Sequence, residues 1–169
     1  LTSATTSRYV SLLETSFVIS KLNPYLRNRA SRLIKSPKVY ISDSGLACFM
    51  VGIDKFRMDY QEPLLGALFE TYVAQNLFAI IDSRWKEAQL YFWAIQGRNE
   101  VDFIIEVGRN CLAIEVKSSA RWQKKDLSGL EAFLAATPHC VAGVLCHNGT
   151  KAVQLGEILW ALPLGLVLS

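Results

Sequence analysis

Glu100-Val101-Asp102-Phe103-Ile104-Ile105-Glu106, Val107-Gly108-Arg109-Asn110 and Cys111-Leu112-Ala113-Ile114-Glu115-Val116-Lys117-Ser118-Ser119 run on as one stretch, and its reading decides the fold. Two alternating apolar runs flank a Gly/Asn turn signal, the pattern of a β-hairpin. Asp102, Glu115 and Lys117 hold interior strand positions, where a charged group is costly unless it is paired or used. Pairing Gly108 with Cys111 makes Arg109-Asn110 the loop and sets Asp102 opposite Lys117 and Ile104 opposite Glu115. That register gathers Asp102, Glu115 and Lys117 on one face and leaves Phe103, Ile105, Ile114 and Val116 on the other. A three-residue loop would part Asp102 from Glu115, so the site requires an even loop or a bulge.

Upstream, Gln89 to Ile95 is a strand by composition, and Gln96-Gly97-Arg98-Asn99 turns it into the hairpin, which predicts a three-stranded meander. Pro63 to Ile81 is the longest helical segment, with proline in its first turn. At about 100° per residue, Glu70 falls among Gly66, Ala74, Leu77 and Ile81. A carboxylate there either reaches water at the edge of the stripe or points into a site shared with the sheet. Downstream lies a basic loop with Arg121, Trp122, Lys124 and Lys125, in which Trp122 either stacks on a nucleic acid strand or covers the sheet. Asp126 to Ala136 then carries Leu127, Leu130, Phe133 and Leu134 at helical spacing. The unbroken apolar run Cys140 to Cys146 predicts a strand buried on both faces and parallel to a neighbour. Residues 152–167 add a strand and a short helix, and His139 and His147 read as isolated loop-edge residues.

The first fifty residues have a different character. A short helix over Thr5 to Glu14, a strand over Phe17 to Leu22, a basic loop and a return strand over Lys38 to Ser42 follow the order of a winged-helix tail. Residues 1–52 are therefore read as a partial winged-helix-like module, with the helix as recognition helix and the loop as wing. Asp43 is the expected N-cap of a helix through Met50. Residues 53–62 read as a polar linker, and 63–169 as the second domain.

Charge follows this division. Residues 1–50 hold seven Lys/Arg against Glu14 and Asp43, 7 − 2 = +5, and the rest hold 11 basic and 13 acidic residues, −2, which sum to the net +3. The basic end suits a polyanion, with Arg8, Arg27, Arg29, Arg32, Lys35, Arg121 and Lys124 as candidate nucleic-acid contacts. Cys48, Cys111, Cys140 and Cys146 lack metal-ligand spacing and lie in apolar runs, as buried free thiols of a reducing cytoplasm would. The apolar tail Ile158 to Leu168, interrupted by Pro163 and Gly165, is too short to span a bilayer, so a soluble protein without a membrane partner is expected. A start at Leu1 suggests a piece of a longer polypeptide.

A helix carboxylate, a strand Asp and a Glu-x-Lys on the next strand are what metal-dependent phosphodiester hydrolysis requires. Asp102 and Glu115 offer hard oxygen donors for Mg2+ or Mn2+, Lys117 can orient water or stabilise charge, and Glu70 can complete the shell. The pattern resembles the PD-(D/E)xK nuclease superfamily. Asp102, Glu115, Val116 and Lys117 match its signature, and Glu70 matches the acidic residue of its first helix. This resemblance implies a restriction-endonuclease-like α/β fold, a mixed sheet flanked by helices, and a Val116 backbone ligand for the metal.

Wider text is more specific: Ser36-Pro37-Lys38-Val39-Tyr40, Asp43-Ser44-Gly45-Leu46, Pro63-Leu64-Leu65-Gly66 with Phe69-Glu70, and the two arms of the hairpin. Together these resemble the C-terminal half of prokaryotic AAA+-type ATPases with a DUF4143 domain, which implies DNA and a preceding ATPase domain as partners. The sequence contains no Gly-x-x-x-x-Gly-Lys-Ser/Thr loop, so ATP binding is not carried onto these residues. Other readings stay open. Asp102 and Lys117 can form an ion-paired remnant without metal, the chain can be a non-catalytic nucleic-acid- or protein-binding module serving an ATPase, and residues 5–35 can act as a basic DNA-binding regulator.

Overall fold

Gly108 fixes the register of the hairpin. In the computed structural model, which describes residues 2–26, 36–53, 63–95 and 99–169, Gly108 takes φ +61°. Arg109 is not in the left-handed region, because Phe17 is the sole non-glycine there among the described residues. A positive φ at the first loop position alone is the pattern of a type II′ turn, which demands glycine there. The loop is therefore Gly108-Arg109, with Val107 opposite Asn110 and Ile104 opposite Ala113. This corrects the expected Arg109-Asn110 loop. The loop still has two residues, and continuing the register brings Asp102 level with Glu115 rather than with Lys117.

Around this hairpin, β4 (Asn99–Val107) and β5 (Asn110–Lys117), the chain is mixed α/β. Helix α1 (Ser3–Thr15) is capped by Thr2 and followed by β1 (Ile19–Pro24) and β2 (Lys38–Ile41). Helix α2 (Ser44–Met50) is capped as expected, Asp43 accepting the Leu46 N–H at 2.7 Å. Then come α3 (Pro63–Arg84), β3 (Ala88–Ile95), the hairpin, a 3-10 turn (Lys124–Leu127), α4 (Ser128–Ala136) and β6 (Cys140–His147). The chain closes with β7 (Val153–Gln154), β8 (Leu159–Pro163) and α5 (Leu164–Val167).

The eight described strands form one sheet in the order β2-β1-β3-β4-β5-β6-β8-β7. The expected meander β3-β4-β5 is antiparallel, and β6 runs parallel to β5. Strands β1 and β2 are an antiparallel pair that extends the same sheet, β1 lying parallel to β3. Helix α3 packs on one face through Phe69, Val73 and Leu77, against Phe103, Ile105, Ile114 and Val116. Helix α4 covers the other through Leu130 and Phe133, against Val101, Ile104, Ala113 and Leu145. By length and composition Leu64–Arg84 is apolar enough to cross a membrane, but its inner stripe is buried against the sheet, which makes it a core helix.

One irregularity matters for the site. Across β3–β4, Tyr91 pairs with Ile104 and Trp93 with Val101, so Asp102 and Phe103 together face Phe92 as a β-bulge. Val101 and Ile104, three apart, consequently share the α4 face. The strict alternation expected for Asp102 is broken here, and its carboxylate leaves the strand from the bulge.

Helix α4 reaches β4 through a glycine. A Cβ on Gly129 would overlap the Glu100 carbonyl oxygen, a main-chain atom that cannot swing aside. Gly129→Ala is expected to push α4 off the sheet at a cost of about 1–3 kcal/mol, read as a lowered denaturation midpoint. Gly66→Ala, with nothing near the added methyl, should leave the midpoint unchanged or raised.

Candidate functional site

Four carboxylates and two ammonium groups gather where α3, β2, β4 and β5 meet. Glu70 stands at the rim of the buried stripe of α3 and points into the space shared with the sheet. Its Oε1 accepts the Tyr40 hydroxyl at 2.5 Å and Lys38 Nζ at 3.1 Å. Lys38 also pairs with Glu100, and its Nζ lies 3.8 Å from Asp102 Oδ1 and 5.4 Å from the Phe92 ring centroid. Asp102 Oδ2 accepts the Val116 N–H at 2.8 Å, which holds the carboxylate across the top of the hairpin. Lys117 Nζ donates to Glu115 Oε1 at 2.7 Å. The expected Asp102–Lys117 pair is thus not formed: Lys117 serves Glu115, and Lys38 is the cation beside Asp102.

Asp102 and Glu115 are each only 9% exposed. Glu115 Oε2 is buried and has no hydrogen-bond partner among the described residues. Burial pushes the Asp102 carboxyl well above the usual carboxylate range; Glu115 and Glu70 add to this, and Lys38 and the Val116 N–H oppose it. Burial also raises Glu115 although Lys117 opposes it, with Glu100 and Glu70 contributing. Burial pulls the Lys38 ammonium down, and Glu70, Glu100 and Asp102 more than reverse this, so it stands above the ordinary lysine value. When all are ionised, Lys38 and Lys117 against Glu70, Glu100, Asp102 and Glu115 give 2 − 4 = −2.

Sequence reasoning brought forward Glu70, Asp102, Glu115 and Lys117, and the fold brings all four into this region. It missed Lys38, Tyr40 and Glu100. Lys38 and Tyr40 alternate on one short strand, within the very text Ser36 to Tyr40 that carried the family resemblance; that alternation was the available signal.

The candidate nucleic-acid residues are more scattered. Arg8 lies exposed on α1, and Arg121 and Lys124 lie exposed just beyond Lys117. Arg27, Arg29, Arg32 and Lys35 lie outside the described residues. Trp122 packs against the α4-side core and so covers the sheet. His147 is not a loop-edge residue. It is 2% exposed, its Nδ1 accepts the Gly149 N–H at 2.9 Å, and its Nε2 lies 3.1 Å from the Lys151 carbonyl oxygen. Asn148 N–H in turn bonds Ser119 O at 3.3 Å, tying the turn after β6 to the one after Lys117. All four cysteines are free thiols, with Cys111, Cys140 and Cys146 buried.

An α/β domain with an acidic cluster beside the end of a hairpin is the class that fold and site define. Residues 65–167 match the model of a family described as a domain of unknown function, DUF4143, and the chain belongs to that family. Residues 1–57 match a second domain of unknown function, DUF8612. An uncharacterized protein of Mycobacterium tuberculosis and one of Mycobacterium bovis are each 32% identical over 116 residues. The match covers 69% of this chain and 25% of each of those proteins, so the chain corresponds to about a quarter of their length.

Proposed function

We propose that this chain is a PD-(D/E)xK nuclease-like region of an AAA+-type ATPase, in which Asp102, Glu115 and the Val116 backbone hold Mg2+ or Mn2+ for phosphodiester hydrolysis of DNA. The observation that carries this reading is the orphaned Glu115 Oε2, a buried carboxylate oxygen beside a second buried carboxylate. An unpaired polar atom in that position costs about 1–3 kcal/mol unless something binds it. Hard oxygen donors suit Mg2+, and the formal −2 of the cluster is the charge one divalent cation cancels. Among the described residues no group of three His, Cys, Asp or Glu side chains could hold a metal ion, so the proposed donor set is two carboxylates with the Val116 backbone that the family resemblance implies.

A divalent ion held there supplies charge neutralisation at a phosphate and a lowered pKa for a water. Lys117, 2.7 Å from Glu115, is the cation that can stabilise charge developing on the phosphate oxygens. Glu70, held by Tyr40 and Lys38, positions rather than ligates. Exposed Arg121 and Lys124 follow Lys117 and can take the flanking phosphates. In the proposed organisation, residues 1–52 are the tail of a winged helix joined through 53–62, and Arg8 meets DNA from α1. The cytoplasm is the proposed compartment.

Calorimetric titration with Mn2+ tests the reading. Binding in the millimolar range or tighter should be lost in Asp102→Ala, and no binding at millimolar metal would sink the metal-dependent nuclease. A second reading, a non-catalytic nucleic-acid- or protein-binding module serving the ATPase, is favoured by the Lys38 ammonium already lying among Glu70, Glu100 and Asp102. DNA affinity that falls steeply with salt and is indifferent to metal would select it; salt-insensitive or absent DNA binding would point to a protein partner.

A further inference from the structure

Lys38 comes from outside the 65–167 family match, on a four-residue strand at the edge of the sheet, where β2 pairs with β1 alone among the described strands. Its ammonium nonetheless lies among three carboxylates of the candidate site, bonded to Glu70, paired with Glu100 and 3.8 Å from Asp102 Oδ1. Tyr40, two residues on and on the same side of β2, donates to the Glu70 oxygen that Lys38 binds. The side chain is only 26% exposed, so this is a held contact and not a surface pairing.

We infer that Lys38 is the built-in counter-ion of the acidic cluster, and that it antagonises a divalent ion for which it keeps the cluster assembled. This rests on the metal reading proposed above. Coulomb repulsion between an ammonium and a divalent ion a few ångströms apart exceeds the thermal energy several times over, even where the surroundings screen strongly. Of the three carboxylates, Asp102 makes the longest contact with Lys38, and it is also the one shared with the orphaned Glu115 side of the site. Metal uptake therefore draws on Asp102 while Lys38 keeps Glu70 and Glu100. Lys38 is a positioning residue on this account, and a partner that moves the β1–β2 edge changes the metal affinity of a site it does not touch.

The test compares the chain with Lys38→Met and Lys38→Arg, measuring free Mn2+ by electron paramagnetic resonance and melting temperature in chelator and in Mn2+. Lys38→Met is expected to bind Mn2+ at least about tenfold more tightly, to melt lower in chelator and to recover with Mn2+. Lys38→Arg keeps the charge and should bind like the parent. Lys21→Met, which removes a lysine on the neighbouring strand β1 that pairs with Glu14 of α1, should leave Mn2+ affinity unchanged. Equal or weaker Mn2+ binding in Lys38→Met overturns the antagonism. If neither chain takes up Mn2+, the metal reading falls with it, and the counter-ion role is decided by Lys38→Met/Glu70→Gln. Regained melting temperature in chelator upholds that role, and no regain overturns it.

Discussion

In metal-free alkaline buffer, Glu115→Gln is expected to be more stable than the parent chain, because burial penalises the ionised carboxylate and not the neutral amide. The sign follows from linkage. Burial holds the folded-state pKa of Glu115 above its unfolded value. Such a group contributes stability that is complete below the unfolded pKa and is lost as pH rises through the folded one. Glutamine does not titrate, so the advantage of the variant should shrink as the pH is lowered and vanish once the native carboxyl is protonated. Asp102, raised for the same first reason, should give the same trend in Asp102→Asn.

The groups facing Glu115 do not reverse this trend. Lys117 loses its charged partner in the variant, but the amide oxygen can still accept from its Nζ, and the side chain is 34% exposed and can also turn to water. Glu70 and Glu100 only add repulsion to an ionised Glu115. Thermal melts of the three chains across pH check it. A parent chain that gains stability between pH 5 and pH 8 without metal would contradict the raised carboxyls.

Phe133→Ala should have the largest effect on folding, about 3–5 kcal/mol. Phe133 is fully buried on α4 and meets two rings edge to face, Tyr25 at 5.7 Å and Trp93 at 5.2 Å between centroids. These contacts join α4 to the end of β1 and to β3, so truncation opens a cavity bordered by three elements and forfeits two aromatic pairs. For a chain of this size the loss corresponds to a fall in melting temperature of roughly ten degrees. Phe49, 79% exposed on α2, supplies the control: Phe49→Ala should move the midpoint very little.

Periodicity carried most of the fold because the sheet is covered on both faces. The run Cys140 to Cys146 announces a strand that is buried on both faces from Gly143 to Cys146, with Val141 near its start exposed, and Leu127, Leu130 and Phe133 announce the helix that covers it. The register of the central hairpin was less legible. Gly108 and Asn110 are both turn formers, and only the requirement of a type II′ turn for glycine at its first position decides between them. The bulge at Asp102-Phe103 left no local mark, since it is set by how β4 packs against β3.

At the site, Asp102, Glu115 and Lys117 stood out as charges within apolar strands. Lys38 and Glu100 did not, because each lies near the end of its strand, where a charged residue is ordinary. His147 was misread for a similar reason. A single histidine at a strand end gives no sign that its ring will be enclosed and bonded on both nitrogens.

The bulge also lodges one more residue in β4 than β3 opposes. Phe103 and Ile105 face α3, while Ile104 after the bulge and Val101 before it both face α4. Removing one residue of the bulged pair would restore simple alternation and leave Val101 two positions from Ile104, still opposite Trp93 and still on the α4 face. The frame of the sheet survives such a deletion, and what it removes is room for both residues: β4 then has no position from which the Asp102 carboxylate can leave the strand while Phe103 keeps its place in the α3-side core.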